Sequence, residues 1–475
     1  MFTRYRKAIL TVTLAAGIGL LAWGAAREGE APFLAKPYLA LGDNPVPNRS
    51  ERLTLMWHAV DRDQDWQVEY RAGGSARKSK PTFMRVAAKG TTPFRVYEAA
   101  LDRLKPGGEF SYTVTLAGAT VFESKGKARK ASNENTRTVI FGDCAQGTDG
   151  QRAIAYQTAQ LKPDFVFITG DIVYGRGKIS EYREKYFPIY NPDEAALGVG
   201  APLLRSTLFI SVPGNHDIGN PVDISSDALG YFYFWRQPMN GPTRTATDPG
   251  APVLKGDDAD REQFLKTAGP LYPRMASFSF DYGMVHWTVI DSNPYVDWTD
   301  ATLRDWVRKD LAAAKNAKWR VVALHHPPYN SSKNHFNDQR MRVMSDIFEE
   351  GGVSVVLAGH VHNYQRTFPL KFKVAGGIKP LGKETKVAGD FTFDKDFDGV
   401  NITRPRGVIY LVTGAGGASL YNPDQTDNPK VWEPFTTVFK SNTHSLTVMD
   451  ATADALSFQQ ISATGSRIDD FRITR

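Results

Sequence analysis

The sequence predicts an α/β (α+β) protein with a small β-sandwich near its N-terminal end. Three observations carry that prediction. Residues 31–132 are short, partly alternating runs broken by turns, with no helical pattern. From residue 133 onward, continuous apolar runs alternate with amphipathic stretches, the texture of α/β layers with right-handed crossovers. The chain has 475 residues, 41% hydrophobic and 23% charged, which is a globular balance and more than one ordinary core accommodates. That composition excludes a disordered or fibrous protein, and no internal repeat is present.

Taken in order, the chain opens on Arg4, Arg6 and Lys7, an apolar run from Ala8 to Trp23, and the small residues Gly24, Ala25 and Ala26. This is the layout of a secretory signal with a cleavage site near Ala26; as an uncleaved helix the same run could span a bilayer. A signal peptide or membrane anchor over 1–26 places the body outside the cytoplasm: secreted, periplasmic or otherwise extracytoplasmic. Contact with a membrane is expected only through that segment. LTLMWHAV, WQVEYRAG, FRVYEAAL and FSYTVTLA then read as strands of a sandwich over 31–132. The polar stretch 127–137 reads as a linker to a second domain over 133–475. There TVIFGD, DFVFITGD, LFISVPG, WRVVALHH and VSVVLAGH read as buried strands, and 151–161, 299–314 and 337–352 as helices. Residues 277–292 read as two strands and a tight turn. Residues 218–272, with YFYFW at 231–235, read as a long insertion near a site mouth.

The formal charge is +7, with basic clusters only at 76–80 and 125–130. Such runs are solvated faces. No nucleic-acid motif accompanies them, so nucleic acid is not expected as a partner, while a mild positive excess favours anionic substrates. Cys144 is the single cysteine, so no intramolecular disulfide forms. The sequons at Asn48, Asn330 and Asn401 matter only in a eukaryotic secretory pathway. Oligomeric state is not legible.

The chemistry gathers at the strand ends. Asp143 follows the first apolar run, Asp171 and Tyr174 the second, and Asn215, His216 and Asp217 the third. His325 and His326 follow WRVVAL, and His360 and His362 follow VSVVLAG. In an open α/β sheet, ligands bind beyond the C-terminal strand ends. Each block alone reads as a turn, a cap or a structural histidine. Together they bring carboxylates, an amide, a phenol and imidazoles to one edge, and six of the nine histidines lie in or beside these blocks. Carboxylate oxygen suits hard ions and imidazole suits Zn, Fe, Mn or Cu. A shared carboxylate can hold two ions roughly 3.5–4 Å apart, the spacing that clamps a phosphoryl group. A phenol with a free pKa of about 10 binds as phenolate, which favours Fe(III) at Tyr174.

The ordered blocks GD, GDIVY, GNHD, VVALH and GHVH resemble the calcineurin-like metallophosphoesterase signature, and the tyrosine after the second aspartate resembles that of purple acid phosphatases. The resemblance implies a four-layer metallophosphoesterase sandwich with a fibronectin type III-like N-terminal domain. It implies one ion, Fe(III), held by Asp143, Asp171, Tyr174 and His362. A second ion, divalent Zn, Mn or Fe, would be held by Asp171, Asn215, His325 and His360, with Asp171 bridging. It further implies His216 contacting the phosphate and His335 assisting the leaving group. Asp217 reads as a supporting carboxylate that orients His216, as carboxylates often do for imidazoles. His326 matches no ligand position; His58, His286 and His444 fall outside the pattern. The implied activity is acid hydrolysis of small-molecule phosphate monoesters by a metal-bound hydroxide. The alternatives are a phosphodiesterase or nucleotide pyrophosphatase with the same centre, or a non-catalytic binding protein on the fold. The sequence departs from the family at GDCAQ, where Ala145 replaces a glycine and would add a methyl near the metals, and Cys144 adds an oxidisable thiol. These departures and the long insertion bear on substrate choice.

Overall fold

Two mixed sheets stack face to face, with a helical layer outside each. A computed structural model describes residues 31–475 except 48–49, 219–226, 243–247, 249–250, 252 and 380. The expected segment 1–26 lies outside the described residues. Among the described residues no helix is long and apolar enough to cross a membrane.

The first sheet of this body has six strands, in the order Leu208–Ser211, Phe165–Ile168, Thr136–Phe141, Ser445–Ala451, Ala455–Ser462 and Arg467–Thr474. Its first three strands are parallel and the rest antiparallel. The second has seven, in the order Phe278–Tyr282, Val285–Val289, Trp319–Ala323, Val355–Ala358, Ile409–Thr413, Tyr364–Thr367 and Thr436–Lys440. Its centre is parallel from Val285–Val289 through Ile409–Thr413. Alternation of side chains along each strand explains why these runs are apolar throughout. Phe165 and Phe167 enter the core between the sheets, while Val166 and Ile168 face an outer core. Val355 and Leu357 likewise point inward, and Val356 and Ala358 outward.

The outer layers follow from amphipathic helices. Asp149–Leu161 sets Ile154 and Ala155 against the six-stranded sheet, and Thr148 caps it by accepting from the Gln151 N–H at 3.1 Å. Ala301–Ala313 sets Leu303, Val307 and Leu311 against the other sheet, capped by Asp300. The expected helix over 337–352 differs: a 3₁₀ turn over Arg340–Met344 precedes an α-helix over Ser345–Glu350 only. Tertiary bonds at Gln339 hold its first part open: its N–H donates to Thr385 O and its Oε1 accepts from the Val387 N–H, while Asp338 pairs locally with Arg340 at 2.7 Å.

Residues 35–127 form two four-stranded antiparallel sheets packed around Trp57, Trp66 and Tyr97. The edge strand Ser75–Ser79 carries the basic cluster at 76–80 on exposed and half-buried positions. The stretch expected as a linker is instead anchored. Arg129 is fully buried, donates to Glu51 at 2.7 Å and to Pro45 O and Asp281 O, and thereby joins the small sheets to the large body. Phe33–Arg475 forms one unit. The insertion is also corrected: Tyr231–Phe234 lie in a buried helix, Gly230–Phe234, and together with Trp235 belong to the outer core rather than a site mouth. Asn330 is buried and hydrogen-bonded to Ser332 N and Gln365 Nε2, which leaves no room for a glycan.

Candidate metal centre

The site lies just beyond the C-terminal ends of five parallel strands, where the two large sheets meet. Asp143 follows Thr136–Phe141, Asp171 follows Phe165–Ile168, and Asn215 follows Leu208–Ser211. From the facing sheet, His325 follows Trp319–Ala323 and His360 follows Val355–Ala358. Asp143, Asp171 and His360 all have positive φ, 56°, 48° and 68°, so each chain turns sharply as it leaves its strand. The glycines before Asn215 and His360 are fixed by space. A Cβ on Gly214 would overlap Asp171 Oδ1, and one on Gly359 would lie 2.7 Å from Asp143 Oδ2.

The nine predicted residues come together. The Tyr174 hydroxyl lies 3.1 Å from Asp143 Oδ1 and 2.9 Å from His362 Nε2. Asp171 Oδ1 lies 3.4 Å from His325 Nε2, which in turn lies 3.1 Å from Asn215 Oδ1. The His360 ring lies 5.0 Å from the ring of His325 and 4.1 Å from that of His335. His216 is partly open, its side chain 37% exposed, with Nε2 3.9 Å from Asp171 Oδ2.

The outer hydrogen bonds set the tautomers. His325 Nδ1 donates to Thr169 O at 2.8 Å and His362 Nδ1 donates to Ser419 O at 2.6 Å. A carbonyl only accepts, so both rings carry a proton on Nδ1 and turn Nε2 inward. Around His325, Nε2 faces Asn215 Oδ1 and an Asp171 oxygen, acceptors that need either a second ring proton or a metal ion between them and the ring. Around His362 it faces the Tyr174 hydroxyl, whose single hydrogen lies between two acceptors, His362 Nε2 and Asp143 Oδ1. Neither Asp143 nor Asp171 has a Lys or Arg ion-pair partner among the described residues, although both are buried. Burial pushes Asp143 well above the usual carboxylate range. Burial also acts to raise Asp171, but His325 and His216 outweigh it and hold it low. Burial would lower His325, yet Asp171 lifts it to about 9, a proton standing where a metal ion would serve. Burial, then Asp143 and Asp171, push Tyr174 well above 10, so a phenolate there needs a cation. The donor set fits two ions.

Two readings change. Asp217 does not orient His216. It accepts from the N–H groups of Ile172, Val173 and Gly214 and so ties the two carboxylate- and amide-bearing loops together. His216 Nδ1 instead donates to Gly175 O at 2.7 Å. Cys144 is buried among apolar side chains and donates to Ile172 O; burial pushes its thiol up, which makes it inert. Ala145 is likewise buried in that core. His58, His286 and His444 make structural contacts, with Tyr38, with Asp281 and Asp310, and with Ala418 O.

Sequence reasoning passed over His326, Ser292 and Tyr421. The Tyr421 ring stacks on His362 at 4.0 Å and 12°. His326 sits 4.3 Å from the His360 ring, and its position next to a candidate ligand was the one available signal. A cleft of about 300 Å³ opens over the site. Asn215, His216, His326, His335 and His360 line it, and Arg176 and Lys383 stand at its rim as exposed residues.

Residues 136–364 match the family described as calcineurin-like phosphoesterase. Over 396 residues the chain is 24% identical to "Probable inactive purple acid phosphatase 1" of Arabidopsis thaliana, covering 74% of this chain and 56% of that protein. Over 109 residues it is 34% identical to purple acid phosphatase 21 of the same plant, covering 22% of this chain and 24% of that protein. The chain thus spans little more than half the length of the first relative and about a quarter of the second. An uncharacterized protein of Mycobacterium tuberculosis is 24% identical over 429 residues, 84% of this chain and 73% of its own. Among solved structures, purple acid phosphatase PPD1 of yellow lupin seeds superposes with a TM-score of 0.64 at 18% identity, over 92% of this chain and 74% of that one. PhoD superposes with a TM-score of 0.57 at 14% identity, over 95% and 90%. These superpositions concern the fold.

Proposed function

We propose that this chain, which carries a calcineurin-like phosphoesterase domain and shares the fold of purple acid phosphatases, hydrolyses phosphate monoesters at a dinuclear metal centre. The observation that carries the reading is the completeness of the donor set. Asp143, Asp171, Tyr174 and His362 would hold one ion, Fe(III) by the chemistry of a phenolate. Asp171, Asn215, His325 and His360 would hold a second, divalent ion. Bound there, the ions would supply Lewis-acid polarisation of the phosphoryl oxygens and a nucleophile at mild pH.

The chain's own residues do the rest. Thr169 O and Ser419 O hold His325 and His362 with Nε2 inward, so the ligand field is preformed. Gly175 O fixes the His216 tautomer and leaves its Nε2 toward the cleft, where it can meet a phosphoryl oxygen. His335 is half-buried at the cleft and is the group placed to protonate a leaving alkoxide. Burial holds its pKa below the ordinary 6.5, so its acid form requires acidic pH.

The name of the Arabidopsis relative, "Probable inactive purple acid phosphatase 1", gives the non-catalytic reading a specific basis. The intact ligand set weighs against it here. Turnover of a chromogenic phosphomonoester beside the matching diester, by metal-replete protein from acid to neutral pH, separates the readings. Faster monoester hydrolysis, strongest in acid, is expected. Faster diester hydrolysis would move the protein to the phosphodiesterase or pyrophosphatase class, and no turnover of either would favour the binding protein.

A further inference from the structure

Ser292 is buried just after the strand Val285–Val289. Its Oγ accepts from the His325 N–H at 3.1 Å and the His326 N–H at 2.8 Å, and lies 3.0 Å from His326 Nδ1. A hydroxyl has two acceptor lone pairs and one hydrogen. Both lone pairs are taken by backbone donors, so the hydrogen goes to His326 Nδ1. The ring proton of His326 is therefore on Nε2.

His326 lines the cleft beside Asn215, His216, His335 and His360. One ring nitrogen from each of His325, His326 and His360 lies within 4.8 Å of the others, which by spacing alone suits a three-histidine metal site. The hydrogen bonding excludes His326 from that role. A ligating nitrogen needs a free lone pair; Nδ1 has given its own to Ser292, and Nε2 carries hydrogen.

We infer that His326 is a substrate-binding residue, a fixed Nε2–H donor to a phosphoryl oxygen of the bound phosphoester, with Ser292 as the positioning residue that sets its tautomer. The inference rests on the phosphoester-hydrolase reading of the same cleft. It gives the site a third imidazole donor beyond His216 and His335, one that presents a hydrogen whatever the charge of the ring.

The test uses metal-replete protein with His326→Phe, His326→Gln and Ser292→Ala. Metal content is read by elemental analysis and affinity for inorganic phosphate by calorimetry. His326→Phe should keep its metal content and bind phosphate about tenfold or more weakly, the scale of a lost hydrogen bond to a charged group. His326→Gln, which retains an N–H donor, should recover part of the loss, and Ser292→Ala should fall between. Unchanged phosphate affinity in His326→Phe overturns the inference alone, as does loss of an ion, which would make His326 a ligand. Wild-type protein that takes up metal but binds no phosphate overturns the hydrolase reading and this inference with it. Should the phenylalanine variant not fold, long-range ¹H–¹⁵N correlation of the Zn-loaded wild type decides: Nδ1 free of hydrogen and Nε2 protonated is expected, and the opposite tautomer refutes it.

Discussion

Asn215 is the one side chain in the predicted ligand set with no titratable group, and it makes the cleanest test among single residues. Its Oδ1 faces His325 Nε2 3.1 Å away. Asn215→Ala should weaken the second ion by at least about 10–100-fold, the range seen when metal sites lose a supporting group, and abolish most turnover. Full activity with normal metal content would remove Asn215 from the centre. Tyr174→Phe should abolish the visible charge-transfer band of the oxidised, iron-loaded protein, leaving ligand-field absorption only; a band that survives would place the chromophore elsewhere. Asp217→Ala leaves the N–H groups of Ile172, Val173 and Gly214 without their buried acceptor. At about 1–3 kcal/mol for an unmet buried donor, it should cost several kcal/mol in denaturant unfolding. The gathering of Asp143, Asp171, Asn215, His325 and His360 at one edge was legible because each follows closely on an apolar run that reads as a buried strand. The work of Asp217 and Ser292 was not legible, since it depends on backbone groups brought together by tertiary structure. Tyr421, in a loop remote in sequence, gave no signal at all.

At the scale of elements, His286 shows how a helix is fastened to a sheet edge. It sits on Val285–Val289, with Nδ1 2.7 Å from Asp281 on the neighbouring strand and Nε2 3.0 Å from Asp310 on the helix Ala301–Ala313. Burial alone would lower its pKa, but the two aspartates raise it to about 9. A raised histidine pKa stabilises the fold fully below the unfolded value of about 6.5, and that contribution is lost as pH rises through about 9. The contribution is on the order of 3 kcal/mol. Denaturant midpoints of wild type and His286→Gln should therefore differ most near pH 6 and converge above pH ~9.5; a gap that persists at high pH would show packing, not charge. The strands and the helices over Asp149–Leu161 and Ala301–Ala313 were readable from periodicity. The helix over 337–352 was half misread, because Gln339 is held by Thr385 and Val387, partners distant in sequence that no local pattern reveals.

The whole molecule is organised by two shared seams. One is the core between the large sheets, which fixes the two halves of the ligand set against each other. The other joins the N-terminal sheets to that body, through Arg129 and through Tyr112, whose hydroxyl donates to Arg205 O at 2.8 Å. The change of texture near residue 133 was visible in sequence, but it marked a change of architecture rather than a loose joint. A basic, polar stretch reads as a linker until its arginine is seen to be fully buried against Glu51. Removing one partner of a buried pair typically costs about 3–5 kcal/mol. Arg129→Met should lower the single unfolding transition of Phe33–Arg475 by about that much, and separate melting of the N-terminal sheets in the wild type would contradict the shared seam. On the proposed reading, the two sheet edges assemble one centre for two ions with Asp171 between them. Elemental analysis of metal-replete protein decides it: two ions per chain are expected in the wild type and one or none in Asp171→Asn, whereas a wild type that takes up no metal, or an Asp171→Asn variant that keeps both ions, would contradict it.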